Sequence, residues 1–249
     1  MPVNGYAIQY AILPRLMLDF TRGEKAMFAD RNDAGQKLAR ELARQLSGFD
    51  HKMALVVALP RGGVPVAEQV AEALDLPLDI LLVRKVGAPG YPEVAIGAIS
   101  DGEKMQLTIN REVCDQLGLD DEEVRDLAQE VLPELERRKR LYCGDRPTLA
   151  VKGRPVIVVD DGAATGATLR IALRVLRERG ATRLIVALPV APVDVVEKLH
   201  ALAEDVICLE IPSSFRAVGA HYRDFRQVDD QEVVRILEQA NGACDHRLH

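Results

Sequence analysis

An acidic pair followed by small residues and two threonines carries the clearest chemical signal in this 249-residue sequence. Asp160 and Asp161 follow an aliphatic run, and Gly and Ala dominate the residues that come next. Small residues between a strand and a helix let successive backbone N–H groups turn toward one point, and the helix N-terminus adds its positive dipole end. We therefore expect residues 162–168 to bind a phosphate, with help from the hydroxyl groups of Thr165 and Thr168.

The acidic pair needs a ligand of its own, because two carboxylates would repel a phosphate held beside them. Sugar hydroxyls or a hydrated Mg²⁺ are the candidate ligands of Asp160 and Asp161. Acidic pair and phosphate loop together predict a ribose 5-phosphate site. The alternative interpretation is a tight strand-to-helix turn with capping aspartates.

Residues 158–168 resemble the signature of type I phosphoribosyltransferases, which bind phosphoribosyl pyrophosphate (PRPP). The segment is neither a Walker loop, because no Gly-Lys-Ser/Thr follows, nor a Rossmann fingerprint. The resemblance spans about residues 28–230. Within it, three parts are similar to a bacterial group of predicted phosphoribosyltransferases whose acceptor is unassigned: the Asp30-Arg31…Ala34-Gly35 opening, the run from Glu134 to Tyr142 and the segment at about 211–230.

This resemblance implies a Mg²⁺-dependent pentosyltransferase that moves the 5-phosphoribosyl group from PRPP to a nitrogenous base and releases pyrophosphate. It implies an α/β fold with a parallel-sheet core flanked by helices at about 50–210, a flexible loop and helical insertion at about 86–145, and a C-terminal hood at about 211–230. Residues 1–27 are then an N-terminal extension, and residues 240–249 form a tail.

A second glycine-rich loop follows the first aliphatic run and resembles the pyrophosphate loop of the family. Arg61 offers a charged fork to a phosphate, and Gly62 and Gly63 permit close backbone approach. Arg84 and Lys85 end the second predicted strand, where family members often place a basic residue near pyrophosphate. A plain turn before a helix and a solvated strand end are the alternatives.

Three aromatic residues within a short span mark the predicted hood. By resemblance, Phe215 flanks the acceptor base, Val218 offers backbone contacts, and Arg223 reaches pyrophosphate. A local hydrophobic cluster that pins the C-terminal segment is an equally good interpretation on packing grounds. His221 is a candidate general base, although a lone histidine is usually structural or solvated.

The acidic loop departs from one branch of the family at Ala164. In the 6-oxopurine enzymes this position is an aspartate that handles the proton of the base. Its absence disfavours hypoxanthine and guanine, whereas adenine- and orotate-type loops carry alanine near this position.

Taken residue by residue, the resemblance implies three groups of site residues. The implied catalytic residues are Asp160, Asp161 and Lys85. The resemblance also implies that the two aspartates hold Mg²⁺, directly or through water. The implied substrate-binding residues are Arg61, Gly62, Gly63, Arg84, Gly162, Ala163, Ala164, Thr165, Gly166, Ala167, Thr168, Phe215, Val218 and Arg223.

The elements around these motifs alternate as β-α-β units. Short aliphatic runs predict strands at 53–59, 78–83, 155–159, 184–189 and 206–210. Helical spacing predicts helices at 64–74, from the acidic loop to about 179, at 193–203 and, highly charged, at 120–142. The alternation predicts a mostly parallel sheet, with ligands outside the carboxyl ends of its strands.

Two regions break this alternation. Residues 87–111 are rich in Gly and Pro and predict a mobile hairpin or long loop, with weak strand signals at 94–99 and 105–109. Pro133 is a candidate kink in the charged helix. We expect the chain to fray after about Ala240.

Composition narrows the class of protein. A net charge of −6 lowers the expectation of a nucleic-acid-binding protein, and 4% aromatic residues argue against a base-stacking single-strand binder. The four cysteines lack zinc or redox spacing, no segment reads as a signal peptide, and no apolar run approaches the length of a membrane span. We expect a cytoplasmic protein without nucleic-acid or membrane partners, and the family's tendency implies a homodimer.

Three other functions stay open at this point. A non-catalytic regulator that senses PRPP usually needs a nucleic-acid-binding surface, and residues 137–140 form the only basic cluster, better read as a solvated helix end. A phosphorylase-like cleavage of nucleotides or nucleosides on the same fold is the second. The third and weakest is a domain that edits or hydrolyses nucleotides.

Overall fold

The computed structural model describes residues 27–46, 53–101, 106–144 and 148–245. The strands in these residues are β1 (Leu55–Ala58), β2 (Leu78–Ile80), β3 (Val83–Ala88), β4 (Tyr91–Ser100), β5 (Gln106–Ile109), β6 (Pro155–Val159), β7 (Arg183–Val190) and β8 (Asp205–Glu210). The α-helices are α1 (Arg31–Gln45), α2 (Gly63–Leu74), α3 (Arg111–Leu117), α4 (Asp121–Cys143), α5 (Ala167–Glu178), α6 (Val193–His200) and α7 (Asp230–Asp245). A short 3-10 helix spans Val218–His221.

Five strands form a parallel sheet in the order β2-β1-β6-β7-β8. All of β1 and all but the first residue of β7 are buried. Continuous aliphatic runs produce this pattern because strands of a parallel sheet face helices on both sides. The α/β fold with a parallel-sheet core, predicted from the β-α-β alternation, is confirmed.

Helices cover both faces of the parallel sheet. Leu38 of α1 and Val66 of α2 belong to one hydrophobic core, and Leu173 of α5 belongs to the other. Successive side chains of a strand point to opposite faces. The neighbours Ile157 and Val158 of β6 accordingly contribute to different cores.

A three-stranded antiparallel sheet, β3-β4-β5, replaces the predicted mobile hairpin or long loop. The predicted second strand is too long, because β2 ends at Ile80 and Val83 already begins β3. Asp101, the residue after β4, holds the chain between β2 and β3 by two hydrogen bonds. The Leu82 N–H donates to Asp101 Oδ1 at 3.0 Å, and the Asp101 N–H donates to the Leu82 carbonyl at 3.0 Å. Residue 105, the first of the other weak strand signal, lies outside the described residues.

The charged helix α4 begins at a capping box. The Asp120 carboxylate accepts from the N–H groups of Glu122 and Glu123, and the Glu123 side chain accepts from the Asp120 N–H. Pro133, the candidate kink, lies inside one continuous helix of 23 residues. No helix in the described ranges is both long and apolar enough to cross a membrane.

Residues 211–229, most of the predicted hood, connect β8 to α7. Helix α7 continues past Ala240 to Asp245, and the expected fraying of this end stays a prediction. Residues 246–249 and all of the predicted N-terminal extension except Met27 lie outside the described residues.

Candidate active site

The two loops predicted to bind substrate follow neighbouring strands of the parallel sheet. β1 and β6 pair directly, with Ala58 opposite Val159. Residues 59–62 follow β1, and residues 160–166 follow β6. Both loops therefore leave the carboxyl edge of the sheet, which is where open α/β sheets bind their ligands.

Two glycines bring the start of α2 against the acidic pair. A Cβ atom at Gly62 would lie 2.0 Å from Asp161 Oδ2, and one at Gly63 would lie 2.7 Å from the Val159 carbonyl and 3.2 Å from Asp160 Oδ1. Only a residue without a side chain fits at this separation. The structure thus brings the predicted pyrophosphate loop and the acidic pair together.

Two further glycines shape the predicted phosphate loop. Gly162 has φ 149°, and a Cβ atom there would lie 2.6 Å from Val218 Cγ1 of the hood. Gly166 has φ 65°, and a Cβ atom there would lie 2.8 Å from Val195 Cγ1. Positive φ and close neighbours both favour glycine, so the loop packs tightly between the hood and α6.

The groups that this loop can offer to a phosphate differ along its length. Ala163 is buried, and its N–H donates to the last carbonyl of β7 at 2.9 Å, which anchors the loop; its contact with substrate stays a prediction. Ala164, Thr165 and Thr168 are exposed. Thr165 Oγ1 accepts from the Ala167 N–H at a long 3.4 Å. The exposed residues leave one open side to the loop, at the N-terminus of α5.

The two aspartates are in contact, and the charge of Asp161 perturbs Asp160. Asp160 Oδ1 accepts from the Asp161 N–H at 2.9 Å. Burial raises the pKa of Asp160 well above its ordinary value, and the neighbouring Asp161 charge raises it further. Burial also raises the pKa of Asp161, although Arg31 opposes that shift. A cation or hydroxyl donors at this position would favour the charged carboxylates.

Arg31, at the start of α1, is a site residue that the sequence motifs did not assign. Its Nε and Nη2 each lie 2.8 Å from Asp161 Oδ2, and the two side chains are only 11% and 14% exposed. The ion pair joins positions 130 residues apart, which no local pattern reveals. The Asp-Arg opening of the family resemblance was the one available signal.

Arg61 forms an ion pair with the Asp230 carboxylate at the start of α7. Its Nη1 lies 3.6 Å from Asp230 Oδ1, and the same carboxylate is 3.5 Å from Arg137 Nη1 and accepts from the Tyr142 hydroxyl. Burial and this hydrogen bond raise the pKa of Tyr142 to about 12. The Pro60–Arg61 peptide bond is cis. Arg61 is partly exposed and follows the same strand edge as the glycines.

The structure corrects the prediction that Arg84 and Lys85 end the second strand. Both lie within β3, opposite Ile99 and Ala98 of β4, and both are half-buried. They do not end a strand of the parallel sheet, because β3 belongs to the antiparallel one. Their roles at the reaction centre stay predictions.

The predicted hood is a packed segment with an internal aromatic pair. The rings of Phe215 and His221 stack, with centroids 5.8 Å apart and an interplanar angle of 15°. His221 is buried, and its Nδ1 lies 2.9 Å from Glu210 Oε2. These contacts give His221 a packing partner and a polar partner, which favours a structural role over that of a general base.

Tyr222 connects the hood to the acidic pair. Its hydroxyl donates to the Asp161 carbonyl at 2.6 Å, and its ring lies 5.2 Å from that of Phe28. The next residue, Arg223, is exposed, and its N–H donates to the Phe28 carbonyl at 2.8 Å. The Arg223 side chain therefore extends from a fixed backbone.

The fold and the site have the parts of a phosphoribosyl transferase domain: a parallel sheet, two loops at its carboxyl edge and a hood. A model of the phosphoribosyl transferase domain family matches residues 30–224, and the chain belongs to this family. The protein TT1426 from Thermus thermophilus has a solved structure that is 42% identical, with a TM-score of 0.77 over 86% of this chain and 98% of that chain.

Two curated relatives come from Mycobacterium tuberculosis strains CDC 1551 and H37Rv, and each is provisionally named a phosphoribosyl transferase. Each is 44% identical over 215 residues, which is 86% of this chain and 47% of the relative. The chain thus spans about half the length of the curated relatives that it matches.

Proposed function

We propose that this chain transfers the 5-phosphoribosyl group of PRPP to a ring nitrogen of a small base and releases pyrophosphate. The observation that carries the proposal is the approach of Gly62 to the Asp161 carboxylate, from which the loop runs on to the start of α5. An arginine-glycine loop, an acidic pair and a phosphate loop match the pyrophosphate, the sugar and the 5-phosphate of PRPP, in that order.

In the proposed reaction, the bond between ribose C1 and a pyrophosphate oxygen breaks and a bond from C1 to the ring nitrogen forms. Pyrophosphate leaves with the bonding electrons, and the proton of the ring nitrogen passes to the leaving pyrophosphate or to water. The transition state resembles an oxocarbenium ion, so positioning and charge stabilisation supply most of the catalysis. Asp160 and Asp161 hold the sugar hydroxyls, and their negative charge stabilises the cationic ring.

The acidic pair also fits a hydrated Mg²⁺ by its donor chemistry. Mg²⁺ prefers oxygen ligands, keeps several waters, and is commonly held by one or two carboxylates together with substrate phosphates. The described residues contain no group of three or more His, Cys, Asp or Glu side chains suited to a metal ion. Two carboxylates therefore support a cation that arrives with PRPP, and its charge would stabilise the leaving pyrophosphate.

The proposed acceptor class is supported by Ala164. This exposed residue stands where the 6-oxopurine enzymes carry an aspartate that handles the proton of the base. We propose an adenine-like or orotate-like acceptor rather than hypoxanthine or guanine. The half-buried ring of Phe215 is the proposed flank of that base.

The remaining proposals concern partners and place. The basic cluster of α4 is engaged by its own helix: Arg137 and Arg138 both bind Glu134, and Arg140 lies 3.9 Å from Glu136. This arrangement supports the absence of a nucleic-acid partner and weighs against a PRPP-sensing regulator. A homodimer and a cytoplasmic location stay predictions.

A pyrophosphate-release assay with PRPP, Mg²⁺ and a panel of bases tests the proposed function. The panel holds adenine, orotate, hypoxanthine, guanine and other ring-nitrogen nucleophiles, and mass spectrometry identifies the nucleotide formed. We expect turnover with one base that lacks the 6-oxopurine group. Tight PRPP binding without turnover on any base would favour the sensor, and nucleotide cleavage by phosphate would favour the phosphorylase-like alternative.

A further inference from the structure

We propose that Arg31 is a positioning residue that fixes the Asp161 carboxylate for the ribose hydroxyls and fastens it to the hood. The inference rests on the proposed function and adds to it a residue outside the matched loops. It also gives a physical role to the Asp-Arg opening of the sequence.

The contact with Asp161 is directional. Two N–H groups of Arg31, on Nε and Nη2, reach the same oxygen of Asp161, Oδ2, at 2.8 Å each. Bonds of this kind orient both groups and are stronger than those between neutral groups. Asp161 Oδ1 takes no part in the ion pair, so the carboxylate keeps one oxygen for a ligand.

The opposite side of the guanidinium is held by the hood. Nη1 donates to the Arg226 carbonyl at 2.8 Å, and the Arg31 Cζ lies 4.0 Å above the centre of the Phe225 ring. A planar cation can bind a carboxylate along its edge and stack an aromatic ring on its face, which lysine cannot do. Arg31 thus connects the acidic pair to the segment proposed to contact the acceptor.

The backbone around Arg31 is fixed by the same segment. The Phe28 N–H donates to the His221 carbonyl at 2.8 Å, and the Asp224 N–H donates to the Ala29 carbonyl at 2.9 Å. Asp30 then caps α1, because its carboxylate accepts from the Asp33 N–H at 2.8 Å. With both ends of the side chain held, Arg31 is preorganised and loses little entropy when substrate binds.

Binding of two probes to the R31A variant tests the role. Ribose 5-phosphate contacts both the phosphate loop and the acidic pair, whereas inorganic phosphate needs no sugar contact. By calorimetry with Mg²⁺ present, we expect the Kd of ribose 5-phosphate to rise about 10- to 100-fold, the usual effect of removing a partner that orients a ligand-binding side chain. The Kd of inorganic phosphate should stay unchanged.

Two further measurements separate positioning from general loss of structure. Guanidinium ion, at concentrations far below those that unfold the protein, should restore part of the ribose 5-phosphate affinity of R31A, and R31K should show an intermediate affinity. R40A is the matched control, because Arg40 is an exposed arginine of the same helix. It should bind both probes like the wild type.

Unchanged ribose 5-phosphate affinity in R31A would overturn the role, and so would an equal loss for both probes. Absence of rescue by guanidinium would also count against it. A wild-type protein that binds neither PRPP nor ribose 5-phosphate would instead overturn the proposed function, and the role of Arg31 with it. The two failures are therefore distinguishable.

Discussion

Asp160 and Asp161 are adjacent in sequence but unequal in their surroundings. Asp161 has Arg31 on its carboxylate and the Tyr222 hydroxyl on its carbonyl. Asp160 has no arginine within ion-pair distance among the described side chains, and its pKa is raised well above its ordinary value by burial and by Asp161. A buried carboxylate without a direct ion-pair partner is costly, so a hydrated cation or a sugar hydroxyl bound there would stabilise Asp160 more than Asp161.

Arg61→Ala is expected to weaken pyrophosphate binding more than ribose 5-phosphate binding. Loss of a charge-assisted hydrogen bond corresponds to roughly a tenfold or greater rise in Kd for pyrophosphate, measured by calorimetry. Arg137→Ala is the control, because Arg137 contacts the same Asp230 carboxylate from α4. An equal loss of affinity for both ligands would remove the pyrophosphate assignment of Arg61.

Gly62→Ala tests the close approach of the two loops. The new Cβ atom would start 2.0 Å from Asp161 Oδ2, so α2 or the acidic pair must move. A displacement near 1 Å at a reaction centre costs about 100-fold in turnover, and we expect a loss of that order in kcat/KM for PRPP. Glu72→Ala is the control, because Glu72 is an exposed residue near the end of the same helix, α2. Wild-type kinetics in the Gly62 variant would show that the approach is not needed.

At the scale of elements, periodicity predicted the parallel sheet well and the antiparallel sheet poorly. Aliphatic runs such as Pro155–Val159 are unmistakable because both faces of the strand are buried. β3 and β4 carry Gly, Pro and charged residues, which locally favour a loop. Their pairing and packing against α4 stabilise them as strands, and such contacts are not visible in a local pattern.

The antiparallel sheet is joined to the core through a buried polar junction. Asp101 has no exposed surface; its Oδ1 accepts from Leu82 and lies 3.9 Å from Arg179 Nη2, while its Oδ2 has no hydrogen-bond partner among the described residues. Arg179 also donates to Ser100 Oγ at 3.4 Å. Burial raises the pKa of Asp101 from 3.8 to about 6.

Asp101→Asn is expected to flatten the pH dependence of stability. The raised pKa means that the folded state holds this proton more tightly than the unfolded chain, so the contribution is complete below about pH 4 and is lost as pH rises through about 6. At 1.36 kcal/mol per pKa unit, the wild type should lose up to about 3 kcal/mol more than the variant across that range. Urea unfolding at several pH values measures the difference.

The exposed Asp126 of α4 supplies the control for that experiment, because Asp126→Asn should leave the wild-type pH profile intact. Parallel profiles for the wild type and Asp101→Asn would show that the buried carboxyl does not titrate between pH 4 and 7.

At the scale of the whole molecule, the site divides into parts that sequence could and could not predict. The acidic pair and both glycine loops could be predicted because each is a contiguous motif that resembles a motif of the family. Arg31 and Asp230 were missed as site residues because they reach the loops through tertiary packing, from helices near the two ends of the described chain. The net charge of −6 does not predict arginines at the site, because the local field around Arg31 and Arg61 can oppose the sign of the whole molecule.

Pyrophosphate release from PRPP by the wild type and by Asp161→Asn tests whether the chain transfers the phosphoribosyl group with the help of its acidic pair. With Mg²⁺ and the base panel, the wild type should release one pyrophosphate for each nucleotide formed. The variant should turn over about 100- to 1,000-fold more slowly, the usual cost of removing one electrostatic contact to a transition state, while it melts at a similar temperature. Equal turnover by the folded variant, or no pyrophosphate release by the wild type with any base, would contradict the account.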